Sequence, residues 1–287
     1  MHKKIIEDIN NLPKISEVIK TYKLSAKSFL SQNFILDIKL TTHISQLSGS
    51  LKEKSVIEIG PGPGALTRSL IINGAKKIIT IEKDKRFIKA LRPLKDIADE
   101  RLVILNEDAL KICLSNIIYH YKLKNPVLIS NLPYSIGTKL LIKWLPLPKE
   151  IKKMTLMFQK EVAERIVAKK GTKKYGRLAV ITNLYSRPKI IMRVSRKAFF
   201  PKPKVDSAIV EIKPKAINKY KFKKNDIEKV THLLFHQRRK KIKSSLKSLG
   251  NPEEICRQAK LDCTLRAEQI SPEEFALLAE ILSSRLN

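Results

Sequence analysis

Val56-Ile57-Glu58-Ile59-Gly60-Pro61-Gly62-Pro63-Gly64 decides the fold. A short β-rich run enters a turn with a glycine at every second position, and a helical pattern opens directly behind it. Such a turn lets the backbone approach a ligand closely while the first N–H groups of the helix face it. Nucleotide-like binding follows. The spacing Gly60-x-Gly62-x-Gly64 lacks the final offset of the dinucleotide fingerprint, and two prolines stiffen it, which argues against a pyrophosphate clamp.

Outward from this turn, β-rich runs alternate with helical patterns through the first two-thirds of the 287-residue chain. Strands are expected at Val56 to Ile59, Lys77 to Ile81, Leu102 to Leu105 and Val127 to Ser130. Crossovers are expected over Leu66 to Ile72, Arg86 to Leu94 and Ala109 to Tyr121. Met154 to Phe158, Leu178 to Tyr185 and Ala208 to Ile212 would complete the sheet. This alternation predicts a parallel sheet wrapped by helices, doubly wound because crossovers are right-handed. After Lys213-Pro214-Lys215 the apolar period becomes helical, through Ile227, Val230, Leu233 and Leu234 and later Phe275, Leu277, Leu278 and Ile281. A catalytic α/β domain over residues 1–214 and a small all-α domain over 215–287 are the expected organisation.

Each further strand end carries a polar group suited to a nucleoside. Glu82, 22 residues beyond Gly60, ends the second strand where a carboxylate accepts both ribose hydroxyls. Asp108 ends the third, in Asn106-Glu107-Asp108-Ala109, where it would take an adenine amino group and also cap the following helix. The fourth ends in Asn131-Leu132-Pro133-Tyr134. An amine conjugated to a flat ring is a poor nucleophile, because its lone pair is delocalised. The Asn131 side-chain oxygen and a backbone carbonyl next to Pro133, which has no N–H, supply two acceptors that make the nitrogen more tetrahedral. Tyr134 would stack on the base. Alone, the tetrapeptide is also an ordinary turn after a buried strand. Three nucleoside-binding strand ends with no phosphate clamp, followed by an amine-polarising turn, indicate S-adenosylmethionine.

Charge constrains the partner. The chain carries 58 Lys and Arg against 27 Asp and Glu, a formal charge of +31, which points to a polyanion, nucleic acid first. Residues 151–214 are the most basic stretch per residue, with 17 basic and 4 acidic side chains. No apolar run approaches a membrane span and no signal region opens the chain, so a cytoplasmic address without membrane contact is expected. Cys113, Cys256 and Cys263 show neither metal spacing nor a disulfide framework and are expected to be reduced thiols. His232 and His236 have no third ligand nearby, so no metal is expected.

The chain resembles the ribosomal RNA adenine N6-dimethyltransferases, and within them the small-subunit (16S) enzymes. The resemblance rests on Ser31-Gln32-Asn33-Phe34-Ile35-Leu36-Asp37, Glu58 to Thr67, Ser130 to Ile136 and Phe158-Gln159-Lys160-Glu161-Val162-Ala163. It extends to Tyr175-Gly176-Arg177-Leu178, Phe199 to Ala208 and Gln237-Arg238-Arg239-Lys240, covering nearly the whole chain from about Ile15. It implies a Rossmann-like S-adenosylmethionine-dependent methyltransferase sheet with a small all-α C-terminal domain. Asn33 and Ile35 would close over the methionine end, Gly60 and Gly62 hold the cofactor, Glu82 its ribose and Asp108 its adenine. Asn131, Leu132, Pro133 and Tyr134 would form the catalytic turn, with Phe199 sandwiching the base opposite Tyr134, or else packing in the core before a Pro-rich turn. The family usually has Gly where this chain has Ser31. The implied substrate is a pair of adjacent adenosines near the 3′ end of 16S rRNA in the small ribosomal subunit, modified by a monomer.

Lys169, Lys170, Lys173, Lys174 and Arg177 are read as RNA-phosphate contacts. Arg238, Arg239 and Lys240 are assigned the same role, on a helix whose apolar face is Leu233, Leu234, Ile242 and Leu246. The alternatives are the 23S rRNA adenine methyltransferases of macrolide resistance, which share the site motifs, and a non-catalytic small-subunit assembly factor.

Overall fold

Five strands run parallel because a helix must carry the chain back across the sheet between each strand and the next. The computed structural model describes residues 2–24, 33–215 and 220–285, so Ser31 and Gln32 lie outside the described residues. Its strands are β1 (Phe34–Ile35), β2 (Ser55–Ile59), β3 (Lys77–Ile81), β4 (Leu102–Leu105), β5 (Val127–Asn131), β6 (Met154–Gln159), β7 (Ser186–Val194), β8 (Phe199–Phe200) and β9 (Ser207–Pro214). Seven of them form one sheet in the order β4-β3-β2-β5-β6-β9-β7, and β1 pairs with β8. Pairs β2–β3, β3–β4, β2–β5 and β5–β6 are parallel, and β9 lies antiparallel to β6. Helices Ala65–Ile72, Lys85–Ala98, Leu114–His120 and Gly137–Trp144 make the four crossovers. β2 is buried along its whole length, which is why it reads as a nearly continuous apolar run.

The chain leaves β2 towards β3 and β4, then returns to place β5 on the other side of β2. That reversal is a topological switch point, and open α/β sheets bind ligands beyond the carboxyl ends of the strands there. Ser130 Oγ donates to the Ile59 carbonyl at 2.6 Å and ties the two diverging strands together at this point.

Two expectations about the elements of the sheet are corrected. Leu178 to Tyr185 is a helix, Arg177–Tyr185, and the additional strand is β7. All but Asn183 of its residues from Leu178 onward are buried, so the helix shows no polar face and its β-branched run looks like a strand. β7 contains Pro188 and three exposed cations, Arg187, Lys189 and Arg193, as suits the edge position it occupies. The crossover expected from Ala109 begins only at Leu114, because Asp108 closes a turn first, with Lys111 N donating to its carbonyl at 2.8 Å.

Two compact units emerge: residues up to Ala163 with Lys189–Lys213, and Glu164–Pro188 with everything from Pro214. The helical unit therefore takes in a segment that a cut at residue 214 leaves with the catalytic part. Helix Arg177–Tyr185 packs on helices Lys224–His236 and Pro272–Arg285, which holds that segment there. Tyr175, 1% exposed, anchors it by donating to the Ile270 carbonyl at 2.8 Å, and Phe235 stacks on Phe275 with ring centroids 5.6 Å apart. Gln237 to Lys241 are not helical as expected: the helix ends at His236, and the next begins at Ile242. Gln237 to Lys241 offer no apolar side chain to bury, and Arg238 is held by Glu268 and the Lys173 carbonyl instead, so the chain turns there. Cys256 and Cys263 are joined in a disulfide, with Cα atoms 5.8 Å apart, rather than reduced. Lys260 at φ 54° reverses the chain after Ala259 and brings Cys263 back to Cys256, a proximity that a spacing of seven residues does not reveal.

Candidate active site

The carboxyl ends of β2, β3, β4 and β5 open on a cleft of about 560 Å³, a size suited to a nucleoside cofactor. Asn33, Ile35, Gly60, Gly62, Glu82, Asp108, Asn131, Leu132, Pro133 and Tyr134 all line it. The loops are stitched to one another: Gly60 N donates to Ile81 O at 2.9 Å, Glu82 N to Leu105 O at 2.9 Å and Asn106 Nδ2 to Glu82 O at 2.9 Å.

All three glycines of the first turn have left-handed φ, and two of them line the cleft. Gly60 has φ 65°, and a Cβ there would lie 3.3 Å from the Pro133 ring, so the cofactor turn and the catalytic turn touch directly. Gly62 has φ 54° and faces the Phe34 ring at the same distance. Any side chain would strain the backbone and push apart two walls of the cleft.

Glu82 is 8% exposed, and burial pushes its carboxyl above the usual range. The Asp84 amide at 2.8 Å and the Gly62 amide at 3.4 Å oppose this and fix the side chain from both oxygens. Asp108 behaves differently: Lys83, 2.9 Å away, holds it below the usual carboxylate value, and the Leu110 amide adds a second contact. Its capping role is thus that of a turn rather than of the helix that follows.

Asn131 Nδ2 donates to the Asn33 carbonyl at 3.2 Å. This bond orients the amide and leaves its oxygen as the acceptor end. Pro133 O takes the amides of Ile136 and Gly137, at 3.1 and 3.0 Å, and so starts the next helix. The Tyr134 hydroxyl is bonded to Ser207 Oγ at 2.6 Å, which fixes the plane of the ring, and burial raises its pKa.

Phe199 is not brought into the cleft. It is buried at 5% exposure in the main core cluster with Ile35, Val194 and Ile209. Successive side chains of a strand point to opposite faces, so its neighbour Phe200 is the one that faces outward.

Glu58 also lines the cleft and was not singled out as a site residue from sequence. It is 1% exposed, and burial pushes its carboxyl up to about 8, against the lowering effect of the Thr67 hydroxyl at 2.7 Å, with nearby Glu82 raising it further. The available signal was an acid inside an otherwise apolar strand.

The basic candidates lie in the helical unit. Lys174 pairs with Glu164, Arg177 with Glu228 at 3.3 Å, and Arg238 with Glu268 at 2.8 Å. Lys169, Lys170, Lys173, Arg239 and Lys240 are exposed. Arg238 also donates to the Lys173 carbonyl at 2.8 Å, so two clusters 65 residues apart in sequence meet on one face.

Among the described residues no helix is long and apolar enough to cross a membrane. The Ribosomal RNA adenine dimethylase family matches residues 23–284. A curated relative, Ribosomal RNA small subunit methyltransferase A of Cereibacter sphaeroides, is 44% identical over 275 residues, covering 94% of this chain and 97% of its own. A dimethyladenosine transferase from Plasmodium falciparum superposes with a TM-score of 0.66 at 26% identity, over 83% of this chain and 93% of that one. The 23S rRNA methyltransferase ErmE does so with a TM-score of 0.59, also at 26% identity, over 87% and 99%.

Proposed function

The chain belongs to the ribosomal RNA adenine dimethylase family, and from that premise we propose that it transfers methyl groups from S-adenosylmethionine to N6 of two adjacent adenosines in the 3′-terminal hairpin loop of 16S rRNA, within the small ribosomal subunit. The observation that carries this reading is the orientation of Asn131, whose amide nitrogen is held by Asn33 so that its oxygen remains for the target amine. Identity of 44% to a small-subunit methyltransferase, against 26% to ErmE, favours the small subunit over the large.

The cleft fits the cofactor by volume and by its donor and acceptor set. Glu82 would hold the ribose hydroxyls, Asp108 the adenine amine, the Gly60–Gly62 turn the backbone-approached face, and Asn33 with Ile35 the methionine end. The cofactor supplies a methyl carbon made electrophilic by an adjoining sulfonium. The chain's own residues act on the amine. Asn131 Oδ1 and the Leu132 carbonyl accept its two N–H bonds, Pro133 O being already taken by the helix. Tyr134, braced by Ser207, stacks on the base. Proximity and orientation do most of the work, and no strong base is needed, because the methylated amine is acidic enough to release its proton to water. Ser135, which lines the cleft, is small enough to admit a base that already carries one methyl.

Transfer of labelled methyl to small subunits, large subunits, naked RNA and DNA in parallel, followed by mapping of the modified base, tests this. N6,N6-dimethyladenine at adjacent small-subunit positions is the expected result. Label confined to large subunits would move the chain to the 23S branch, and subunit binding without label would leave an assembly factor. Asn131→Ala should reduce turnover about a hundredfold or more while subunit binding persists, as loss of one preorganised polar contact to the reacting group does elsewhere.

A further inference from the structure

The segment linking β7 to β9 carries two of the three exposed large hydrophobic side chains among the described residues, Phe200 at 54% and Val205 at 43%. Exposed Lys197, Lys202 and Lys204 lie beside them in sequence. None of these lysines joins an ion pair among the described residues. The one acid of the segment, Asp206, is engaged by the Arg196 amide at 3.0 Å.

The segment is fastened at both ends to the catalytic turn. Phe200 pairs with Phe34, next to Asn33, whose carbonyl holds Asn131. At the other end, Ser207 Oγ bonds the Tyr134 hydroxyl. The Arg196 guanidinium braces the interior by donating to the Lys204 carbonyl at 2.9 Å. A scattered surface phenylalanine needs no explanation. This one is held outward on a braced segment, among unpaired cations, and pairs with the residue next to Asn33, whose carbonyl positions the Asn131 amide.

We propose that Phe200 is a stacking platform for the unpaired nucleotide next to the target adenosine, with Lys202 and Lys204 engaging the phosphates that flank it. This rests on the RNA-methylating function proposed above. Single-stranded loops are recognised by stacking splayed bases on aromatic rings beside cations, and a base adjoining one drawn into the cleft loses its own stacking partner. Phe200 thereby takes up the neighbour while the target is inside.

Phe200→Ala, Phe200→Leu and Phe200→Trp in the full-length protein separate the possibilities, with KM and kcat for small subunits and the Kd for S-adenosylmethionine as readouts. The Ala and Leu variants should raise KM about tenfold, kcat and cofactor affinity should stay within about twofold, and Trp should restore the wild-type KM. Leu matching the wild type would overturn the stacking role. Loss of kcat or cofactor affinity at constant KM would overturn it too, by showing that Phe200 only supports Phe34. If the wild type binds small subunits but transfers no methyl, the proposed function fails, and subunit affinity then decides: weaker binding by the Ala and Leu variants sustains the platform, and equal binding ends it. Absence of any subunit binding by the wild type would overturn both.

Discussion

Glu58 and Glu82 show how one residue type takes its character from its surroundings. Both line the cleft, yet Glu82, just past β3, receives two backbone amides while Glu58, inside β2, has a single hydroxyl and is 1% exposed. Burial therefore keeps Glu58 protonated at neutral pH. Below its ordinary value of 4.5 the group is protonated whether the chain is folded or not; above that, the unfolded chain releases a proton that the folded protein retains to about 8. Stability should fall across this window as pH rises. Glu58→Gln keeps the shape and the acceptor for Thr67 while removing the titration. Its melting temperature should exceed that of the wild type by several degrees at pH 8 and approach it at pH 5. Thermal melts at the two pH values check this, and parallel curves would show that Glu58 titrates normally.

At the scale of elements, the glycine turn and the two-residue strand β1 form a single device. Phe34 lies over Gly62, packs edge-to-face on Phe87 at 5.3 Å and follows Asn33 directly in the chain. Gly62→Ala adds a methyl 3.3 Å from the Phe34 ring at a φ of 54°, so both the backbone and the ring must give. A left-handed residue with a Cβ costs about 1–2 kcal/mol. The expected result is a cofactor Kd raised about tenfold, read by calorimetry, and a turnover loss beyond that, because Asn131 is oriented through the same strand. Unchanged cofactor affinity would separate the turn from the site. These elements were legible in sequence: β2 to β6, the glycine turn and the catalytic turn all fall where local composition places them. Helix Arg177–Tyr185 was not legible, since a helix buried on nearly every side has the composition of a strand.

Across the whole molecule, the cleft and one group of exposed cations fall in different units. All residues lining the cleft belong to one, and the exposed cations Lys169, Lys170, Lys173, Arg239 and Lys240 belong to the other. Replacing these five by Ala should weaken binding to small subunits and flatten its salt dependence, lowering the slope of log K against log salt by roughly 3 to 4. Cofactor affinity should be unaffected. A salt slope equal to that of the wild type would mean that this face is merely solvated.

The sequence by itself determined the succession of strands β2 to β6, the glycine turn, and the placing of Glu82, Asp108 and Asn131 at successive strand ends, because periodicity and turn chemistry are written in neighbouring residues. Tertiary structure alone decided that Phe199 is core and Phe200 surface, that Lys173 and Arg238 share a face, that Cys256 meets Cys263, and that Glu58 holds its proton. Each of these depends on what distant parts of the chain bring alongside, and exposure, pairing and proton affinity are properties of that company.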